Sequence, residues 1–259
     1  MADLRNYQAR VATAGSRADA GIDEGLRTYM LKVYNLMALG LAITGLAALG
    51  TVMLATTTDP SAAVATLGNG KMLTAFGATI YGSALRWVIM LAPLALVFFL
   101  SFRIQTMSVS AAQTTFWVYA GLVGVSLSSV FLVYTSASVV QTFFITATAF
   151  GALSLFGYTT KRDLSGMGSF LIMGVFGLIL AMIVNIFLAS SALQFAISAI
   201  GVLVFAGLTA YDTQQIKEMY FEGDDKLVAG RKAIMGALRL YLDFINMFMF
   251  LLHFLGNRE

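Results

Sequence analysis

The chain has 259 residues, 59% of them hydrophobic and only 11% charged, with a net charge of +3 and a mean hydropathy of +0.82. A soluble domain carries about 25% charged residues, so this composition places the chain in a membrane. The absence of cysteine and the single histidine, His253, exclude a disulfide framework and thiolate or iron–sulfur centres, and leave zinc or copper without its commonest ligand. The basic residues form no nucleic-acid patch.

Residues 1–28 are polar and carry Arg5, Arg10, Arg17 and Arg27, without the apolar core that a cleavable signal peptide needs. They read as a flexible cytoplasmic tail ahead of a single membrane domain over residues 29–259. Seven apolar runs follow: Val33 to Ala55, Trp87 to Phe102, Phe116 to Tyr134, Val139 to Tyr158, Ser169 to Leu188, Leu193 to Asp212 and Ala233 to Leu255. Most approach the ~20 residues that span a hydrocarbon core. The predicted fold class is therefore all-α, a polytopic bundle of seven transmembrane helices. Trp87 is expected to anchor the second span at the interface and Pro93 to kink it. Between the first two spans, Thr56 to Arg86 contains the turn signals Asp59-Pro60 and Gly68-Asn69-Gly70 and reads as a loop lying on the membrane. Gly121 and Gly124, Gly174 and Gly177, and Gly201 and Gly207 mark close helix contacts.

Basic connections stay on the cytoplasmic side. With the amino terminus inside, the arginines of the tail, Arg103, Lys161-Arg162 and the lysines and arginines between Lys217 and Lys232 are internal, leaving Lys71, Arg86 and Arg258 outside. The expectation is a cytoplasmic amino terminus and an external carboxyl terminus.

Two carboxylates stand within the last two apolar runs, Asp212 and Asp243. A charge there costs about 2.5–3.5 kcal/mol on insertion scales, so such residues face the bundle interior and mark function. The two spans are antiparallel neighbours, which brings the two residues to similar depth. Held close in a low-dielectric site, they cannot both ionise easily, and they titrate as a unit around one shared proton. Such a pair is a pH sensor in outline. A Ca²⁺ ion offers the same relief. Thr209 and Asn246 lie on the same helical faces, as added oxygen ligands or as ordinary interhelical hydrogen-bond partners. Arg103, ending the second span, is either a bidentate partner of one aspartate or a snorkelling anchor. Arg239, at i−4 from Asp243, is an alternative ion-pair partner that would make Asp243 purely structural. His253 reads as an interfacial residue. Gln214, Gln215, Glu218, Glu222, Asp224 and Asp225 read as a solvated mixed-charge connector.

The segments Ala210 to Ile216, AYDTQQI, and Leu240 to Asn246, LYLDFIN, resemble the two signature segments of the Bax inhibitor-1 family of membrane proteins, which in bacteria includes the YccA-type proteins. The similarity extends to the hydropathy profile, the polar tail and the short ending after the seventh span. It implies a central last helix wrapped by the other six in two three-helix layers, in the bacterial inner membrane. It also implies a pH-sensitive Ca²⁺ leak in which Asp212 and Asp243 match the family's paired aspartates and Arg103 a basic residue on the second span. Ca²⁺ is then the transported or bound ion, and no cofactor is required. Bacterial members carry an acid farther out on the second span and an arginine near the outer end of the seventh; Ala92 and His253 stand at those places here, so the outer end is held differently.

The leading expectation is a passive, pH-gated, Ca²⁺-permeable channel whose partners are the lipid bilayer, calcium ions and protons. The alternative is a non-transporting regulator that modulates membrane proteases or cell survival through a membrane-protein partner. Intramembrane aspartyl proteolysis would also use a shared-proton pair. However, the residues before Asp243, Leu240-Tyr241-Leu242, lack a glycine-x-glycine unit and no Pro-Ala-Leu segment follows, so an enzyme is not expected.

Overall fold

The structure, a computed structural model, describes residues 2–258, with side chains described from Glu24 onward. Among these, seven helices are long and apolar enough to cross a membrane. They are α1 (Ala2–Ala55), α3 (Leu85–Arg103), α4 (Val109–Leu127, extended by the short α5, Val130–Val133), α6 (Ser136–Thr159), α7 (Ser165–Leu188), α8 (Ser191–Glu218) and α9 (Lys226–Leu255). The tail expected over residues 1–28 lies largely outside the residues whose side chains are described. Its backbone belongs to α1 from Ala2 onward, so the flexible tail expected there is corrected to helix.

The helices outrun their apolar runs because polar residues cap them. Ser108, Thr135, Ser190 and Asp225 each accept a hydrogen bond from a backbone N–H three residues on, satisfying a donor that the first turn leaves free. At the start of α7, Asp163 Oδ1 accepts from Ser165 N at 2.8 Å, and the Ser165 bonds hold this carboxyl below its ordinary range.

The centre of the bundle is α9, packed against α8, α1, α6 and α4, while α3 rests mainly on α4 and α7 on α8. Tyr241, Leu240, Ala237 and Leu252 of α9 are fully buried. Close approach elsewhere depends on missing side chains. A Cβ at Gly157 would strike the Ala210 carbonyl, and one at Gly124 the Thr44 carbonyl. Gly174, Gly201 and Gly207 also meet neighbouring side chains, Gly121 touches only Ile43 at 4.0 Å, and Gly177 meets nothing within 4 Å, so its expected role in helix contact is corrected.

The segment read as a loop over Thr56 to Arg86 is an ordered cap. Its strands β1 (Thr56–Thr57), β2 (Ala65–Thr66) and β3 (Met72–Leu73) form an antiparallel sheet in the order β1-β3-β2, followed by α2 (Ala75–Gly82). Gly70 adopts φ 83°, which closes the turn between β2 and β3 at a conformation only glycine takes freely. Thr74 caps α2, and Gly77 lets that helix settle on the Ala55 carbonyl. The cap is tied down by Asn69 Nδ2, which donates to the Leu132 carbonyl at 2.8 Å. Short strands with few apolar positions carry no periodic signal, so only the turns were visible in the sequence.

Candidate functional site

Asp212 projects from α8 and Asp243 from α9, the two most extensively packed neighbours in the bundle. Helix α8 continues to Glu218 and α9 begins at Lys226, so only residues 219–225 join them. This tight connection makes the two carboxyls neighbours that act on each other electrostatically. Gly236 aids the approach, since a Cβ there would lie 3.0 Å from Ile216 Cγ2. Asp243 is 4% exposed and Asp212 is half-buried.

Ionised carboxylates are acceptors only. A hydrogen bond between these two therefore needs a proton on one of them. Asp243 Oδ2 is buried and has no hydrogen-bond partner among the described residues, an arrangement that costs free energy until a proton or a cation fills it. The cation whose charge bears on both carboxyls is Arg239. It is exposed and forms no ion pair within 4 Å among the described residues, where the side-chain pair is Lys232 with Asp224 at 2.5 Å. A direct Arg239–Asp243 bridge is thus absent, and Arg239 acts on the pair from a distance.

Arg103 is not brought to the pair. It ends α3, which lies at the periphery on α4 and α2, and its side chain is exposed. The reading of Arg103 as an aspartate partner is corrected on that ground, and the snorkelling role fits its place. Thr209 is fully buried, and its hydroxyl donates to the Phe205 carbonyl at 2.8 Å within its own helix. Asn246 Nδ2 likewise donates to the Leu242 carbonyl at 2.8 Å. Both keep an oxygen as acceptor. A Ca²⁺ ion takes six to eight oxygen ligands, and no group of three or more acidic or histidine side chains gathers among the described residues. The two carboxyls alone supply fewer oxygens than that.

One face of α9 is not fully covered. Met235, Arg239, Leu242, Asn246, Met249 and His253 follow one another at alternating four- and three-residue steps, and each is half-buried or exposed, which aligns them as a single stripe. At its far end, His253 Nδ1 pairs with the Met249 carbonyl at 2.6 Å, and the His253 and Tyr134 rings lie 6.1 Å apart. Arg258 lies over that same tyrosine, 5.7 Å from its centroid. Ala92 is half-buried on α3.

A family model described as inhibitor of apoptosis-promoting Bax1 matches residues 26–259. The chain belongs to that Bax inhibitor-1 family. It is 50% identical over 239 residues to RP147 of Rickettsia prowazekii, covering 92% of each chain. It is 47% identical over 262 residues to a protein of Caulobacter vibrioides, covering 100% of each. The inner membrane protein YbhL of Escherichia coli is 45% identical over 237 residues, which are 91% of this chain and 94% of YbhL. The seven spans and this family membership make the chain a multi-pass integral membrane protein.

Within this Bax inhibitor-1 family member, the residue beside the pair that sequence reasoning misplaced is Gln214. Rather than lying in a solvated connector, it is 4% exposed. Its Oε1 accepts from Leu164 N at 2.8 Å and its Nε2 donates to the Arg162 carbonyl at 2.8 Å, clamping the α6–α7 turn to α8. The clue was its i+2 spacing from Asp212 on a helix that continues past the apolar run. Gln214→Ala leaves both backbone groups unpaired, and we expect a loss of about 2–3 kcal/mol; urea or thermal unfolding in detergent showing wild-type stability would refute the clamp. On the far side of α8, Thr213 Oγ1 lies 3.2 Å from Ser154 Oγ of α6 and donates to the Thr209 carbonyl at 2.7 Å, fixing the rotation of α8 that aims Asp212 at α9.

Proposed function

We propose that the protein is a passive, Ca²⁺-permeable channel of the inner membrane, with the basic face of the bundle cytoplasmic, and that the Asp212–Asp243 pair gates it with pH. The observation that carries this reading is a buried carboxyl oxygen of Asp243 without a partner, on a helix packed directly against the one that carries Asp212. A protonated pair bonds α8 to α9. Loss of the proton leaves two like charges in contact, which either part the helices or draw a divalent cation between them. Arg239, whose charge bears on both carboxyls, opposes the entry of that cation.

The reading is tested by Ca²⁺ flux into proteoliposomes across a pH series. Asp212→Asn and Asp243→Asn each replace a titrating group by one that does not titrate, so each variant is expected to lose most of the pH dependence of flux. Wild-type flux with an unchanged pH profile in both variants refutes the gate.

A further inference from the structure

A second site lies away from the carboxyl pair. Helices α1 and α6 both flank α9 but pack little on one another, and the cleft between them holds two cavities stacked along the membrane normal. The one nearer the basic face has a volume of about 500 Å³ and is lined by Arg27, Tyr34, Phe150, Gly151, Ser154 and Tyr158 among others. The other, of about 300 Å³, is walled by apolar residues including Leu41 and Gly45 of α1 and Phe143 of α6, with Phe244 and Phe248 of α9 as its floor.

Two glycines make this cleft. A Cβ at Gly45 or at Gly151 would meet nothing within 4 Å, unlike the glycines at which neighbouring helices close up. Gly45 lines the apolar cavity and Gly151 the one nearer the basic face, so each leaves open space on its own side of the gap. Within a bilayer, a groove without partner atoms forfeits the dispersion contacts of its whole lining, so lipid tails fill it. The end at the basic face is chemically different. Arg27 is exposed there, the Tyr34 hydroxyl is within reach of Ser154 and Thr213, and Lys217 Nζ donates to the Tyr158 carbonyl at 2.8 Å while standing 5.6 Å from that ring. Arg27 thus lines this end with the hydroxyl-bearing Tyr34, Ser154 and Tyr158, Lys217 borders it through Tyr158, and the apolar trough continues beyond them.

We infer that this cleft is a specific site for one anionic phospholipid, with the phosphate held at the Arg27–Lys217 mouth and one acyl chain laid between α1 and α6 against α9. Basic pockets between helices on the cytoplasmic side select anionic headgroups, and the trough selects for the chain rather than for a soluble anion.

The test is native mass spectrometry of the purified full chain, titrated with phosphatidylglycerol and separately with phosphatidylcholine. The expected result is one phosphatidylglycerol retained per chain in preference to phosphatidylcholine. Arg27→Gln should reduce that preference about fivefold, the effect of one interfacial cation. Gly151→Phe puts a ring into the cavity from a position where its Cβ meets nothing within 4 Å and should abolish retention, with Gly45→Phe as a second filling variant where the first does not fold. Gly177→Phe, at an open glycine on α7 outside the cleft, should leave retention unchanged. Equal retention of the two lipids, equal behaviour of Gly151→Phe, Gly45→Phe and Gly177→Phe, or a dimer that the cleft-filling variants dissociate would overturn the proposal.

Discussion

Replacing Tyr241 by alanine is expected to cost about 3–5 kcal/mol of folding stability, the usual cost of emptying an aromatic site in a closed core. Tyr241 has no exposed surface and stands where α1, α4 and α9 meet. Its ring lies edge-on to Phe116 and to Tyr119, each at 5.7 Å. On the α1 side it fits against Gly40, where an added Cβ would lie 3.3 Å from Tyr241 Cδ2. The hydroxyl meets Thr44 Oγ1 at 2.6 Å. These contacts fix α9 against two of its neighbours at once, so no single side-chain movement refills the space. Tyr241→Phe should behave differently. It keeps the ring and removes one hydrogen bond, and Thr44 Oγ1 retains the Gly40 and Ala120 carbonyls at 3.0 and 2.9 Å. The expected loss is about 1 kcal/mol. Unfolding by denaturant in detergent measures both, and equal stabilities for the alanine and phenylalanine variants would show that packing around this ring does not hold the bundle together.

The importance of Tyr241 is not legible in the sequence, although its neighbour Asp243 is. An aromatic residue in an apolar helix is indistinguishable by pattern from the lipid-facing phenylalanines such as Phe187, which is 84% exposed. In a membrane both faces of a helix are apolar, so hydropathy locates spans without saying which side is core. That is why the seven spans are legible while their burial is not. A carboxylate is different because its desolvation cost allows few positions, and both aspartates fall where that cost predicts. The cations are harder. Arg103 and Arg239 both have flexible stems and water-seeking tips, and sequence spacing cannot tell a partner from an anchor. The structure leaves Arg103 at the edge and gives the electrostatic influence to Arg239. Gln214 and Asp224 look like connector residues because the apolar run ends before them. Capping and side-chain clamps, rather than hydrophobicity, carry α8 onward and start α9.

Raising the pH is expected to weaken the α8–α9 contact in the wild type, and Asp243→Asn is expected to reduce that dependence to what the remaining buried carboxyl of Asp212 contributes. The sign follows from counting protons. With one or two protons on the pair, a carboxyl donates to its neighbour and the contact holds. With none, two acceptors face each other as like charges. At about 4 Å and an effective dielectric constant of about 20, their repulsion is on the order of 4 kcal/mol. Stability from this contact is therefore present at low pH and lost as the pH rises through the titration of the pair. In Asp243→Asn the amide donates to Asp212 whatever the pH, and the repulsion has no second charge to act on. Arg239 lies within electrostatic range of both groups and offsets part of the repulsion, so Arg239→Gln should steepen the wild-type dependence. Thermal midpoints in detergent at a series of pH values measure all three proteins. Parallel slopes in the wild type and in Asp243→Asn would mean that the two carboxyls do not share a proton, and the gate proposed for this channel would have no switch.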